Sequence, residues 1–173
     1  MQKRTAIITG ILVSVLAIAL IAWGLLVKLQ PSTGRFDTEA ARNIQKLCGE
    51  RSDCQVRLRD LSSRKWTTYY EFDQSISDAD ISKVIGVPFH ANHDLSRIII
   101  LMNNGKVDFS ESTDQGVEMP LPGEVWINCK PFEAPFTACD SNALLKVMAI
   151  EKSTDHARLF AASGTAYNLT QLN

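Results

Sequence analysis

The chain has 173 residues, 18 basic and 19 acidic side chains, a formal net charge of −1 and 45% hydrophobic residues. That balance speaks against nucleic acid as a partner, because phosphate-backbone binding calls for a strongly basic face. The length allows one domain with its own core, and no internal repeat or low-complexity tract is visible.

The first stretch, Ala6 to Val27, reads AIITGILVSVLAIALIAWGLLV and contains no charge. As a helix it would cover about 33 Å, enough for the ~30 Å hydrocarbon core of a bilayer. A core helix would show a polar stripe, and a cleaved signal peptide would have a shorter apolar region with a small-x-small site behind it. Neither fits, so the run is expected to be an uncleaved anchor, with Trp23 near the far interface. Lys3 and Arg4 lie close together before the run, while Lys28 and Arg35 are spread out after it. This favours an amino terminus in the cytoplasm. Residues 1–28 are thus read as cytoplasmic stub and transmembrane anchor, 29–35 (LQPSTGR up to Arg35) as a polar linker, and 36–173 as an exported globular domain. All four cysteines, Cys48, Cys54, Cys129 and Cys139, lie beyond the anchor. An even count in an exported domain predicts disulfides. Sequence proximity predicts the pairs Cys48–Cys54 and Cys129–Cys139. The spacings C-x5-C and C-x9-C are not the C-x2-C knuckles of zinc sites.

Within the domain, Arg35 to Lys65 holds eight basic and five acidic residues, and Trp66 to Asn173 holds seven and fourteen. The acidic distal part would suit a basic partner.

The spacing of Phe36, Ala40, Ile44, Leu47 and Cys48 predicts a helix over 37–48, with Asp37 capping its first amides and Gly49 at its end. Alternation predicts strands over 55–58 and 65–72. In the second, Trp66, Thr68, Tyr70 and Phe72 share one face and Thr67, Tyr69 and Glu71 the other. ISDADISKVIG then carries every signal of a short helix: Ser77 with Asp80 at capping-box spacing, Ile76 with Ile81 as a staple, and Gly86 as the stop. KWTTYYEF followed by ISDADISKVIG, about 20 residues, resembles a segment of small uncharacterised bacterial envelope proteins. The resemblance implies a bacterial origin, and neither an activity nor a site.

RIIILM, then Asn104-Gly105, then Val107 to Glu111 predicts a hairpin with a type I′ turn. Met102 should face Val107 and Ile100 should face Phe109. Ile99 and Leu101 make the other face apolar too, so the strand should be covered on both sides. Thr113 to Gly123 is the longest irregular stretch. Asp114, Val117, Glu118, Met119 and Leu121 combine an acidic rim with apolar anchors there, the expected partner-binding residues. Val125 to Cys129 is expected as a strand and the following KPFEAPFTA as a loop. Asn142–Glu151 and His156–Ala162 should form a second hairpin, and the polar tail TAYNLTQLN should end on or near the sheet. Asn168-Leu169-Thr170 is a glycosylation sequon, relevant only in a eukaryote.

Catalytic chemistry is not expected. A nucleophile needs a base and a base-orienter within reach, yet the serines sit in polar turns without a G-x-S-x-G elbow, and there is no C-x-x-C redox pair. His90-Ala91-Asn92-His93 offers two ligands, a weak spacing on a loop without carboxylates beside it, and although His93 adjoins Asp94, sequence neighbours do not face each other usefully. Asp78 and Asp80 are accounted for by a helix start. No metal and no cofactor are expected. The predicted fold is α+β, an N-terminal transmembrane helix followed by one antiparallel-sheet domain with two short helices. The expected function is non-catalytic protein binding by a single-pass protein of the bacterial inner membrane, its domain in the periplasm. It would serve as an assembly accessory or an immunity-type protein. The alternatives are a small-ligand-binding or sensing domain and an envelope hydrolase.

Overall fold

The structure is a computed structural model and describes residues 34–49, 51, 53–115, 123–129, 136–150 and 166–172. Helix α1 (Arg35–Cys48) leads into strand β1 (Gln55–Arg57) and a 3-10 turn, Leu58–Leu61. Strand β2 (Thr68–Asp73), helix α2 (Asp78–Ile85), β3 (Arg97–Asn103) and β4 (Lys106–Thr113) follow. The chain then makes β5 (Val125–Asn128), β6 (Phe136–Asp140), β7 (Leu144–Ile150) and β8 (Ala166–Gln171).

These strands form two four-stranded sheets, ordered β4-β3-β2-β6 and β1-β7-β8-β5. The expectation of one antiparallel sheet is therefore corrected. β5 and β8 run parallel, and every other pairing is antiparallel. Apolar demand explains the second sheet. β3 is buried over six consecutive residues, Arg97 to Met102, so both of its faces need a cover. Tyr69, Ile99, Leu101 and Phe109 pack on one face against Val125, Ile127, Leu145, Val147 and Leu169 of the second sheet and against Phe36, Ala40 and Ile44 of α1. On the other face Phe72, Ile98, Ile100 and Met102 pack against Ile76, Ile81 and Ile85 around α2. The expectation of a membrane-spanning helix is corrected: among the described residues no helix is long and apolar enough to cross a membrane. The run 6–27 lies outside the described residues.

Local signals hold where they are short-range. Ser77 caps α2 through the Asp80 amide at 3.2 Å, its hydroxyl donates to the Asp80 carboxylate at 2.6 Å, and Gly86 closes the helix with φ 79°. Asn104 and Gly105 both have positive φ, as the predicted turn demands. The hairpin register differs by one residue beyond it. Met102 faces Val107 as expected, but Leu101 faces Phe109 and Ile100 faces Ser110, because a bulge at Asp108 intervenes. The bulge turns Phe109 into the core shared with the second sheet.

The last third departs further. Phe136 to Ala138, expected as loop, belongs to β6 and pairs with Tyr70 to Phe72. The tail, expected on or near the sheet, lies within it as β8, a central strand between β7 and β5. β7 pairs with β1 on one side and β8 on the other; its expected partner, 156–162, lies outside the described residues.

Disulfides join Cys48 to Cys54 and Cys129 to Cys139, the expected pairs. The first pins the end of α1 to the start of β1, and the second links the end of β5 to β6 and so joins the two sheets. Two such bonds suggest maturation in an oxidising, extracytoplasmic compartment.

Candidate functional site

Three arrangements stand out: a buried ionic knot, a surface cluster of histidines, and an open sheet face.

The knot centres on Arg97, fully buried at the first position of β3. Its Nε donates to Thr113 Oγ1 at 3.1 Å and its Nη1 to the Val125 carbonyl at 3.2 Å. Nη2 is paired with the Asp37 carboxylate, and Glu71 and Glu124 each lie 3.8 Å from Nη1. The Tyr69 hydroxyl donates to Glu71. Asp37 comes from α1, Glu71 and Tyr69 from β2, Thr113 from β4, and Glu124 stands just before β5. One guanidinium thus ties the helix to both sheets.

Three carboxylates against one cation leave the knot short of positive charge. Burial pushes Asp37 up to about 7, with Glu124 and Glu71 adding to the shift and Arg97 only partly opposing it. Burial likewise raises Glu71 against the pull of Arg97 and the Tyr69 hydrogen bond. Burial alone would lower Arg97, but the surrounding Glu71, Asp37 and Glu124 charges hold it above its ordinary range. The Tyr69 hydroxyl is raised well above the ordinary value, by burial first and Glu71 second. Perturbed groups of this kind mark catalytic sites only when a substrate can reach them. Here Arg97, Asp37 and Glu124 are 0–2% exposed at their side chains, and Glu71 only 14%. The knot is structural.

Asp37 does not cap α1 as expected. It is turned inward to Arg97, and the first amides of α1 go instead to Glu111 of β4. Arg35 N–H donates to Oε2 at 2.9 Å and Phe36 N–H to Oε1 at 2.7 Å. Gly34 precedes the helix because a Cβ there would meet Thr113 Cγ2 at 2.3 Å and Glu111 Oε1 at 2.6 Å. Charged residues in inward register were the available signal. Glu71 shares a strand face with Tyr69, and Arg97 heads a run of apolar residues.

The carboxylate that the histidines meet is Asp78, 12 and 15 residues away in sequence, and not the neighbouring Asp94. Asp78, the first residue of α2, stands 3.0 Å from His90 Nδ1 and 2.8 Å from His93 Nε2. No group of three metal-ligating side chains with metal-site geometry occurs among the described residues. Asp80 stays with its helix cap.

The open face belongs to the second sheet. Val56, Leu145, Val147, Leu169, Val125 and Ile127 point into the core, so Gln55, Arg57, Leu144, Lys146 and Met148 point outward. Leu144 is 39% and Met148 45% exposed. Met148, Asn168 and Trp126 form one row across β7, β8 and β5, and Gln55, Lys146, Thr170 and Asn128 form the next. The Asn128 amide donates to Asn168 Oδ1 at 2.7 Å, which fixes the sequon asparagine in a strand. Of the residues expected to bind a partner, Asp114 is half-buried just beyond β4. Val117, Glu118, Met119 and Leu121 lie outside the described residues.

No protein-family model matches the chain, and no curated protein or solved structure is significantly similar to it.

Proposed function

We propose that this domain is a non-catalytic, protein-binding module of the bacterial envelope, either an accessory of a membrane assembly or an immunity-type protein. The supporting observation is the outward face of β1-β7-β8-β5. It carries Leu144 and Met148 exposed, the half-buried Trp126 in the row of Met148 with Asn168 between them, and the cations Arg57 and Lys146 among neutral polar side chains. Exposed apolar anchors within a polar, rigid surface are what protein partners use for affinity, while charges around them speed encounter. The disulfides support an exported domain. The finer placement is the periplasmic side of the inner membrane with the amino terminus in the cytoplasm. It rests on the uncharged run 6–27 and the Lys3–Arg4 pair before it.

A photo-crosslinking residue at position 148, introduced in living cells, tests this reading. One discrete adduct from position 148 and none from position 106, on the opposite sheet's hairpin, is the expected result. Equal adducts at both positions, or none at either, would sink it. The double change Leu144→Glu and Met148→Glu should abolish the association while leaving the domain folded.

A further inference from the structure

His93 stands between two acceptors. Its Nε2 lies 2.8 Å from Asp78 Oδ1, and its Nδ1 lies 3.1 Å from the main-chain oxygen of Gln74, in the turn after β2. A carboxylate and a backbone carbonyl only accept hydrogen bonds. Both bonds therefore need a proton on each ring nitrogen, and neutral imidazole carries one. The bridge seen here is the imidazolium's.

What the bridge holds is the segment 87–96. Asp78 Oδ1 also accepts the Ala91 N–H at 3.0 Å, and Oδ2 meets His90. One turn further along α2, the Ser82 hydroxyl accepts from Phe89 N–H at 2.9 Å and donates to the Phe89 carbonyl at 3.3 Å. Val87, Phe89 and Ala91 pack against the cluster of Ile81, Ile85 and Ile98. The segment is a strap packed on the second core, and His93 is bonded at both ring nitrogens.

We propose that His93 is a proton-operated latch: protonated, it ties the strap both to the start of α2 and to the turn before it, and deprotonated, it gives up one tie and loosens the strap from the apolar surface beneath. The charged groups around it fit that role. Asp78 faces it from α2, and Asp94 and His90 accompany it on the strap. Asp73 in the turn is engaged by the Ser75 amide and Asp80 by Ser77. The Asp78 hydrogen bond, then the Gln74 carbonyl, raise His93 above the ordinary imidazole value. The Ala91 amide, then His93 and His90, hold Asp78 well below the usual carboxylate range. Because the folded value of His93 is raised, its contribution is complete below about pH 6.5, the ordinary unfolded value, and fades as pH rises through the folded one. His90, 91% exposed at its side chain, faces one acceptor and can keep its bond when neutral.

Side-chain NMR titration and amide exchange on the full chain test the latch. His93 should titrate above an ordinary imidazole and carry both ring protons at about pH 5.5. Protection of the Ala91 and Phe89 amides, corrected for intrinsic exchange, should fall roughly tenfold by about pH 8, as a charge-assisted bond is lost. Ile99 in the core serves as the control and should not change. His93→Gln should leave the strap amides weakly protected at both pH values, whereas His90→Gln should retain the pH dependence. Two results would overturn the proposal: His93 titrating at or below an ordinary imidazole, or strap protection that ignores pH in the parent chain. Loss of the pH dependence in His90→Gln would overturn its assignment to His93.

Discussion

A buried arginine that faces three carboxylates makes the domain's stability a matter of proton count. Asp37, lifted to about 7, binds a proton in the folded state that it releases near 4 when unfolded. Between those values the folded state holds more protons, so stability should decline as pH rises from about 4 to about 7. Carboxylates with lowered values act oppositely. Asp73 is lowered by the Ser75 hydrogen bonds, and in Glu39 the hydrogen bonds from Ser63 and Ser62 outweigh burial. Both lose stability as pH falls below about 4. The optimum should therefore lie on the acid side of neutrality. Urea unfolding across pH would check this, and Asp37→Asn should flatten the decline between about 4 and 7. Arg97→Met should be more damaging, on the order of 3–5 kcal/mol at pH 8, because it leaves buried carboxylates without their cation. The deficit should shrink at pH 5, where Asp37 is protonated. An Arg97→Met deficit independent of pH would mean that the knot's charges do not govern its stability.

Helix ends show why some elements are legible in the sequence and others are not. Every signal for α2 falls within eleven consecutive residues, from Ile76 to Gly86: Ser77 caps the Asp80 amide and Gly86 stops the helix as expected, while the Asp80 carboxylate accepts from the Ser77 hydroxyl. The cap of α1 comes from Glu111, 76 residues from Arg35 in sequence, so no local pattern could announce it. Asp37 reads as a cap when the helix is started at 37, but the helix begins at Arg35, which places Asp37 inside the first turn, where it faces the distant Arg97. β6 and β8 escaped for related reasons. Phe136 to Ala138 follows a proline-rich stretch, and only its pairing with β2 makes it a strand. Tyr167 and Leu169 do alternate with Asn168 and Thr170, the period-two sign of a strand, but their polar setting and terminal position masked it. The two caps predict different losses. Ser77→Ala removes one local cap and should cost about 1 kcal/mol in denaturant melts. Gly34→Ala drives a methyl into Thr113 and the Glu111 carboxylate, displacing the cap and the strand beneath it together. It should cost more, about 2–3 kcal/mol, and Glu111→Ala should not add its full effect in the double variant.

At the scale of the molecule, two sheets share one core, and the covalent links fall at its joints. All four cysteines line the core between the sheets and α1. Among the described residues, Cys129–Cys139 joins β5, at the edge of its sheet beside β8, to β6, at the edge of the other sheet beside β2. Cys48–Cys54 joins α1 to β1, a three-residue edge strand paired with β7. The rings closed are short and of similar length, so chain-entropy reasoning assigns each bond a similar value, about 2–3 kcal/mol. Their local consequences should differ. Without Cys129–Cys139, two strands at the ends of opposite sheets lose their cross-link, and among the described residues β5 pairs with β8 and with no second strand. Replacing both cysteines by alanine should therefore open β5 and β6 in amide exchange while β3, central and covered on both faces, keeps its protection. Removing Cys48 and Cys54 the same way should loosen the end of α1 and β1 and leave β5 and β6 near their parent values. If both double variants lose protection uniformly, down to the global unfolding limit, the bonds act only through the unfolded chain, and the assignment of Cys129–Cys139 as the joint between the sheets is wrong.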